Sequence, residues 1–229
     1  MIFAIGLIFW SLSTSVSYVI ETFSPLPFWD QWAYALPKDV GSRFFQFHNE
    51  HLIILARLGF LIDLMFFEGT NVFNITVIML IQIAHVIMLG IISALGTGRR
   101  IDFIATSVSA IFLLSLYQYE NFTWGFQACF VGVFAFSTAS FLVLVQGRPT
   151  LINASVATAI VFVACFTLAN GVLIFPILLI MSFILARPRK QIVLISAIAL
   201  IAVLILCGAQ SILGASSKGL TVNFESLHS

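Results

Sequence analysis

The chain is a succession of long apolar runs divided by short polar connections, and the run lengths predict its elements. A membrane-crossing helix needs about 20 mostly apolar residues. Ile2–Ile20, Asn71–Leu95, Phe103–Tyr119, Phe126–Val145 and Gln191–Gly214 meet or approach that length. Leu151–Ala186 is too long for one crossing and divides at Ala169-Asn170-Gly171 into two. Leu52–Phe67 is apolar but holds Arg57 and Asp63, with Glu68 just beyond. Each charge would cost roughly 2.5–3.5 kcal/mol at the centre of a span. Arg43, Glu50 and Arg57 recur every seven residues and Glu68 follows eleven further on. On one helix these four fall near a single polar line. That predicts an in-plane helix near 43–68, lying on the membrane surface. An eighth span with its charges turned into the bundle is the alternative.

The expected fold is therefore all-α, a polytopic transmembrane bundle of about seven spans over residues 1–214. A large connection over 21–70 follows the first span, and a polar tail occupies 215–229. Composition agrees. Hydrophobic residues make up 61% of the 229-residue chain and charged ones 8%, with a mean hydropathy of +1.12. Soluble domains carry about 25% charged residues. Met1–Ile20 holds no Lys or Arg and runs longer than the apolar core of a signal peptide, which predicts a retained span. Cys129, Cys165 and Cys207 lie inside apolar runs, where small buried thiols are expected rather than a disulfide framework.

The basic residues predict orientation. Arg99/Arg100, Arg148 and Arg187/Arg189/Lys190 occupy three connections, which the positive-inside rule places in the cytoplasm. The connections around Glu120–Trp124 and Asn170–Gly171 hold no Lys or Arg and fall outside, as does 21–70. The N-terminus is then inside and the tail after Gly214 outside. This parity requires that Leu52–Phe67 does not cross.

The residues able to carry chemistry gather in those outer connections. Asp30 stands in Phe28-Trp29-Asp30-Gln31-Trp32, between Trp29 and Trp32. Partial desolvation in the headgroup layer would raise its pKa toward that of a general base. An ordinary solvated Asp beside membrane-anchoring tryptophans is the competing reading. His48-Asn49-Glu50-His51 sets two imidazoles at i, i+3 with a carboxylate between. With no third fixed ligand, His48 and His51 are weak metal candidates, and polar-face roles for them and for Glu50 and Arg57 are favoured. Glu120-Asn121-Phe122-Thr123-Trp124-Gly125-Phe126-Gln127 offers amides for hydroxyls and aromatic faces for a sugar, or is an interfacial turn with a Trp anchor. Asn170-Gly171 reads most simply as a turn. His85 lies inside a long apolar run, where a satisfied core histidine is expected over a proton relay. Apart from it the span middles are nearly free of charge, so chemistry at the surface fits better than passage through the bilayer.

Span count, parity and Phe28-Trp29-Asp30-Gln31-Trp32 together resemble the GT-C superfamily of polytopic glycosyltransferases. The segments Glu120–Gln127 and Ala169–Pro176 are similar to those of bacterial membrane proteins of that type. The resemblance implies a seven-span core whose first external loop carries in-plane helices and an essential Asp. It implies transfer of a sugar from a polyprenyl-phosphate donor to a glycan or lipid acceptor of the cell envelope, at the external face of a bacterial cytoplasmic membrane. Asp30 would be the general base. Trp29, Trp32, Glu50, His51, Glu120, Asn121, Trp124, Gln127 and Asn170 would line the substrate site, and Arg43 or Arg57 would meet the lipid phosphate. Glu120 is a weak metal candidate, so a divalent metal is allowed, but the first loop has no DxD pair to require one. Most superfamily members continue past the seventh span, so the resemblance implies a product truncated after Gly214, a half-enzyme that needs a partner chain, or an inactive relative. A carrier or flippase for a lipid-linked sugar, and a non-catalytic assembly subunit, are the other functions considered. No nucleic acid is expected among the partners.

Overall fold

The computed structural model describes residues 1–49 and 51–218. It is helical throughout, with no strand among the described residues. The α-helices are α1 (Ile2–Thr22), α2 (Pro37–Arg43), α3 (Ile54–Phe66), α4 (Val72–Ala94) and α5 (Phe103–Leu113), followed by α6 (Tyr119–Thr123), α7 (Ala128–Gln146), α8 (Leu151–Ala164), α9 (Ile174–Ile184) and α10 (Arg189–Lys218). Helix α1 packs on α5, α5 on α4, α4 on α7, α7 on α8, α8 on α10 and α10 on α9.

Among the described residues four helices are long and apolar enough to cross a membrane: Ile2–Thr22, Val72–Ala94, Gly125–Gln146 and Arg189–Gly208. The three other expected spans are shorter, Phe103–Leu113, Leu151–Ala164 and Ala169–Ile184. At a rise of about 1.5 Å per residue, an 11-residue helix covers only about half of a ~30 Å hydrocarbon core.

The early end of α5 has a visible cause. Ser115 accepts from the Tyr117 amide and starts a new turn. The carbonyls this leaves at the end of α5 are met from neighbouring helices. Gln82 Nε2 donates to Leu113 O at 3.2 Å, and Ser15 Oγ donates to Leu114 O. Non-helical backbone survives at membrane depth only when protein satisfies it in this way. Gln82→Leu should therefore lower thermal stability in detergent by about 1–3 kcal/mol, the cost of one orphaned buried carbonyl. An unchanged melting temperature would show that Leu113 O finds another donor.

At its other end α5 is capped by Asp102, which accepts from Ile104 N and Ala105 N. The Ala105 and Ile104 amides hold this carboxyl below the usual carboxylate range. The cap therefore contributes at neutral pH and is lost as pH falls through that lowered value.

The break between α8 and α9 falls where the sequence predicts it. Gly171 sits so close to the end of α8 that a Cβ would lie 2.7 Å from Ala164 C. Helix α10 continues past Gly214 to Lys218, into the segment expected as tail. The rest of that expected tail lies outside the described residues.

Helices α4 and α7 run parallel. A Cβ on Gly125 would lie 2.9 Å from Asn74 Cβ near their starts, and His85 meets Thr138 at 2.8 Å further along. The connections after them, with Arg99/Arg100 and Arg148, thus share one end of the bundle. Arg187 joins that end by donating to Leu144 O and Gly147 O, and Met1 joins it in a cavity with Arg99 and Arg100. The segment 25–35 lies at the opposite end, against Gly125 and Asn71.

The connection 21–70 departs from expectation. No single helix runs over 43–68. Helix α2 ends at Arg43, the described residues between are not helical, and α3 starts at Ile54. Arg57 and Asp63 face inward, 1% and 3% exposed, instead of forming a polar stripe. Each has oxygen or amide partners inside that offset its burial. Arg57 donates to the Phe44 and Gln46 carbonyls, and Asp63 accepts from Asn71 N and Phe73 N at the start of α4. Tyr34, Val40, Ile53, Ala56 and Phe60 carry this region into the main core with α7, α8 and α9.

Candidate functional site

Trp29–Tyr34 forms a 3-10 turn in which Gln31 and Tyr34 are buried. Three residues per turn bring i and i+3 onto one side. Gln31 and Tyr34 share the inner side, while Trp29 and Trp32 stand out at 71% and 58% exposure. Asp30 points between these directions with its side chain half exposed.

His48 and His51 face each other across a tight turn and do not share a helical face. His48 N donates to His51 O at 2.8 Å and His51 N donates back to His48 O at 2.9 Å. Asn49 takes a left-handed φ of 52°, which Asn tolerates better than most residues. The two imidazoles leave this turn for different partners. His48 Nε2 lies 3.2 Å from Asp30 Oδ2, and His51 Nδ1 accepts from Ala169 N at 3.3 Å. The two ring nitrogens thus do not share a helix face, the arrangement on which the weak metal reading of His48 and His51 depended. Among the described residues no three His, Cys, Asp or Glu side chains gather as a metal site.

Behind His48 runs a chain of hydrogen bonds. His48 Nδ1 is 3.3 Å from Tyr34 Oη, and Arg57 donates an Nη2 proton to that oxygen at 3.1 Å. Arg57 has no acceptor, so Tyr34 receives its proton and turns its own toward His48 Nδ1. In the neutral tautomer with its proton on Nε2, His48 donates a hydrogen bond to the Asp30 carboxylate. The Arg57 guanidinium also lies over the Tyr34 ring, 5.4 Å from its centroid. Phe126 packs against His48 at 4.9 Å, Trp124 stacks on Phe126 at 5.5 Å, and Phe28 meets Trp124 edge-on at 5.8 Å. An aromatic wall thus adjoins the acid.

The remaining expected residues divide. Trp124 belongs to that wall, His51 touches the turn preceding Asn170, and Asn170 itself is exposed. Gln127 is buried. Glu120 is exposed on α6, where its carboxylate accepts from Tyr119 Oη at 3.3 Å; α6 packs on α1, on α4 and on the Gly125–Gln127 turn, which also touches the Asp30 turn. Asn121 donates to Gln118, and both line a separate cavity of about 500 Å³ with Gln82, His85, Ser137 and Thr138. His85 is satisfied there by Thr138 at 2.8 Å and is also part of that cavity's wall. Arg43 closes α2 and stays exposed. Arg57, the other expected phosphate partner, is internal, with its guanidinium committed to three protein oxygens. Glu50 lies outside the described residues.

Sequence reasoning missed Tyr34 and Gln82. Tyr34 stands four positions after Asp30, and Gln82 is an amide within an apolar span, a rare event that marks structure or function. No family model, no curated protein and no solved structure matches this chain.

Proposed function

We propose that this chain is a membrane glycosyltransferase of the GT-C kind, moving a sugar with inversion from a polyprenyl-phosphate donor to an extracytoplasmic glycan or lipid acceptor. The observation that supports it is the series Arg57–Tyr34–His48–Asp30, which ends on a half-exposed carboxylate beside an aromatic wall. In this reading Asp30 takes the proton of an acceptor hydroxyl as its oxygen bonds the anomeric carbon. The bond from that carbon to the phosphate oxygen breaks, and its electron pair leaves with the lipid phosphate. His48 orients the carboxylate, and Tyr34 fixes the His48 tautomer. Arg43 is an exposed cation available to the departing phosphate. In this reading the shared end of Arg99/Arg100, Arg148 and Arg187 is the cytoplasmic one, as the positive-inside rule favours, and Asp30 works at the outer face of a bacterial cytoplasmic membrane.

A carrier for a lipid-linked sugar is the second reading. The cavity holding Gln82, His85 and Thr138 favours it, because polar groups at membrane depth mark substrate paths. Liposomes holding the purified chain and a polyprenyl-phosphate sugar separate the two. Transfer yields an acceptor glycoside of opposite anomeric configuration, lost in Asp30→Asn. Carriage moves the lipid between leaflets with its glycosyl bond intact, and that result would overturn the enzyme reading. A cysteine at Trp32, labelled from outside intact cells, tests the orientation. Labelling from the cytoplasmic side alone would end it.

A further inference from the structure

The cavity of about 500 Å³ bounded by α4, α5, α7 and α9 takes no part in the Asp30 series. We infer that it is a binding site for an uncharged lipid that presents a hydroxyl group, a long-chain lipid alcohol.

Depth is the first argument. Gln82 and His85 stand three apart on one face of α4, and Thr138 meets His85 from α7. Gln82 lies ten residues beyond Val72 at the start of α4, and Thr138 ten beyond Ala128 at the start of α7. Each is therefore about 15 Å along its helix, roughly half of a ~30 Å hydrocarbon core. Helix α5 stops at Leu113, level with Gln82, and the cavity lies where that helix ends. Phe130, Phe134 and Ile177 line the cavity and are also exposed, Phe134 at 64%. In a spanning bundle such a surface meets lipid tails, so the cavity opens sideways into hydrocarbon and its ligand arrives from the bilayer.

Free hydrogen-bonding atoms narrow the ligand. Gln82 and His85 are 3% and 7% exposed. Gln82 Nε2 donates to Leu113 O at 3.2 Å, which leaves Oε1 without a partner in the protein. His85 Nε2 meets Thr138 Oγ1 at 2.8 Å, which leaves Nδ1 likewise. Neither atom belongs to the sealed, partnerless ones of the described interior, so both keep surface toward the cavity that their residues line. Buried polar atoms are ordinarily paired, and polar groups at membrane depth mark ligand sites. Gln82 Oε1 can only accept, so the ligand must donate, which a quinone, an ester or an ether cannot do. His85 Nδ1 accepts or donates according to its tautomer, and a hydroxyl answers either. Among the described residues no Lys, Arg, Asp or Glu lines the cavity, so a phosphate, carboxylate or ammonium head finds no counter-charge there. Ligand cavities hold about 300–1,000 Å³, and this one suits the head and first part of a chain, with the remainder lying along Phe134 in the bilayer. The inference rests on the cavity alone and not on the transfer reading.

The test is photolabelling of the full chain in nanodiscs with a diazirine-bearing hexadecanol, the labelled peptides being read by mass spectrometry. Label should concentrate on 130–141 of α7. Unlabelled hexadecanol should displace it at least about tenfold better than its methyl ether, which has the same chain and no proton to donate, the worth of one buried hydrogen bond. Palmitate should compete no better than the ether. Gln82→Met and His85→Phe should each weaken labelling by about tenfold. Ser137→Phe fills the cavity from a half-buried position and should abolish labelling, which decides the matter if the other two variants fail to fold. Equal displacement by alcohol and ether, or preferred binding of palmitate, overturns the inference. So does label spread evenly onto α1 and α10, whose spans are each only 17% buried, or labelling unchanged by Ser137→Phe. Those results would leave the cavity to water or to ordinary bilayer lipid.

Discussion

Asp30→Asn is expected to lower sugar transfer by about 10²- to 10⁴-fold, the usual worth of a positioned general base. The amide is nearly the shape of the carboxylate and can still accept from His48 Nε2, so the turn and the bundle should survive. Asp30 is half exposed, which removes any large burial term from the comparison. Its melting temperature in detergent should match the parent's. His48→Gln should cost less, because it removes the group that orients the base and leaves the base in place. Pairing the two substitutions should cost little more than Asp30→Asn alone, since residues that act through one another do not add. A double variant whose losses multiply would show that His48 acts on the substrate by itself. Transfer that survives Asp30→Asn would remove the base assignment, whatever the fold.

The helical bundle is legible in the chain because hydrophobic run length is a one-dimensional property. Asn71–Leu95 and Phe126–Val145 return as α4 and α7 to within a few residues. Length failed where a local competitor acted. Phe103–Tyr119 is apolar throughout most of its course, yet Ser115 offers its own hydroxyl to the Tyr117 amide and Gln82 and Ser15 satisfy the freed carbonyls. The partner that permits the break lies on another helix, 31 residues away in the case of Gln82. No reading of the run itself could reveal it.

The 21–70 connection shows the same limit for charge. A spacing of seven between Arg43, Glu50 and Arg57 places them on one line only if helix continues between them, and it does not. Within the site, Asp30, His48 and Trp124 stood out as candidates by residue type, as all three are costly or amphipathic groups in a greasy chain. Their grouping was visible only in part. Asp30, His48 and Trp124 do share a corner, but Asn121 turns to the His85 cavity and Glu120 stands exposed on α6. Loops at one end of a bundle share an address without sharing a pocket. Tyr34 passed unnoticed because a lone Tyr near a membrane surface is ordinarily an anchor.

Arg57→Leu is expected to cost about 3–5 kcal/mol of stability, since three oxygens lose their donor at about 1–3 kcal/mol for each that stays buried. The guanidinium is 1% exposed and supplies the Phe44 and Gln46 carbonyls and the Tyr34 hydroxyl at once. Leucine fills the space and leaves those three oxygens without that donor. Against a total stability of about 5–15 kcal/mol, that loss should show as poor yield and a much lower melting temperature. Arg57→Lys should fall between, because one ammonium cannot reach all the acceptors that the planar fork reaches. Arg43→Leu is the control, since Arg43 is exposed and its loss should leave the melting temperature within a degree or so. The comparison decides between two roles for Arg57. If it met a lipid phosphate instead, Arg57→Leu would melt like the parent and show its defect as a raised KM for the donor. A large fall in melting temperature with Arg57→Leu, and a raised KM with Arg43→Leu, would assign the structural cation and the substrate-facing cation to different helices of the same connection.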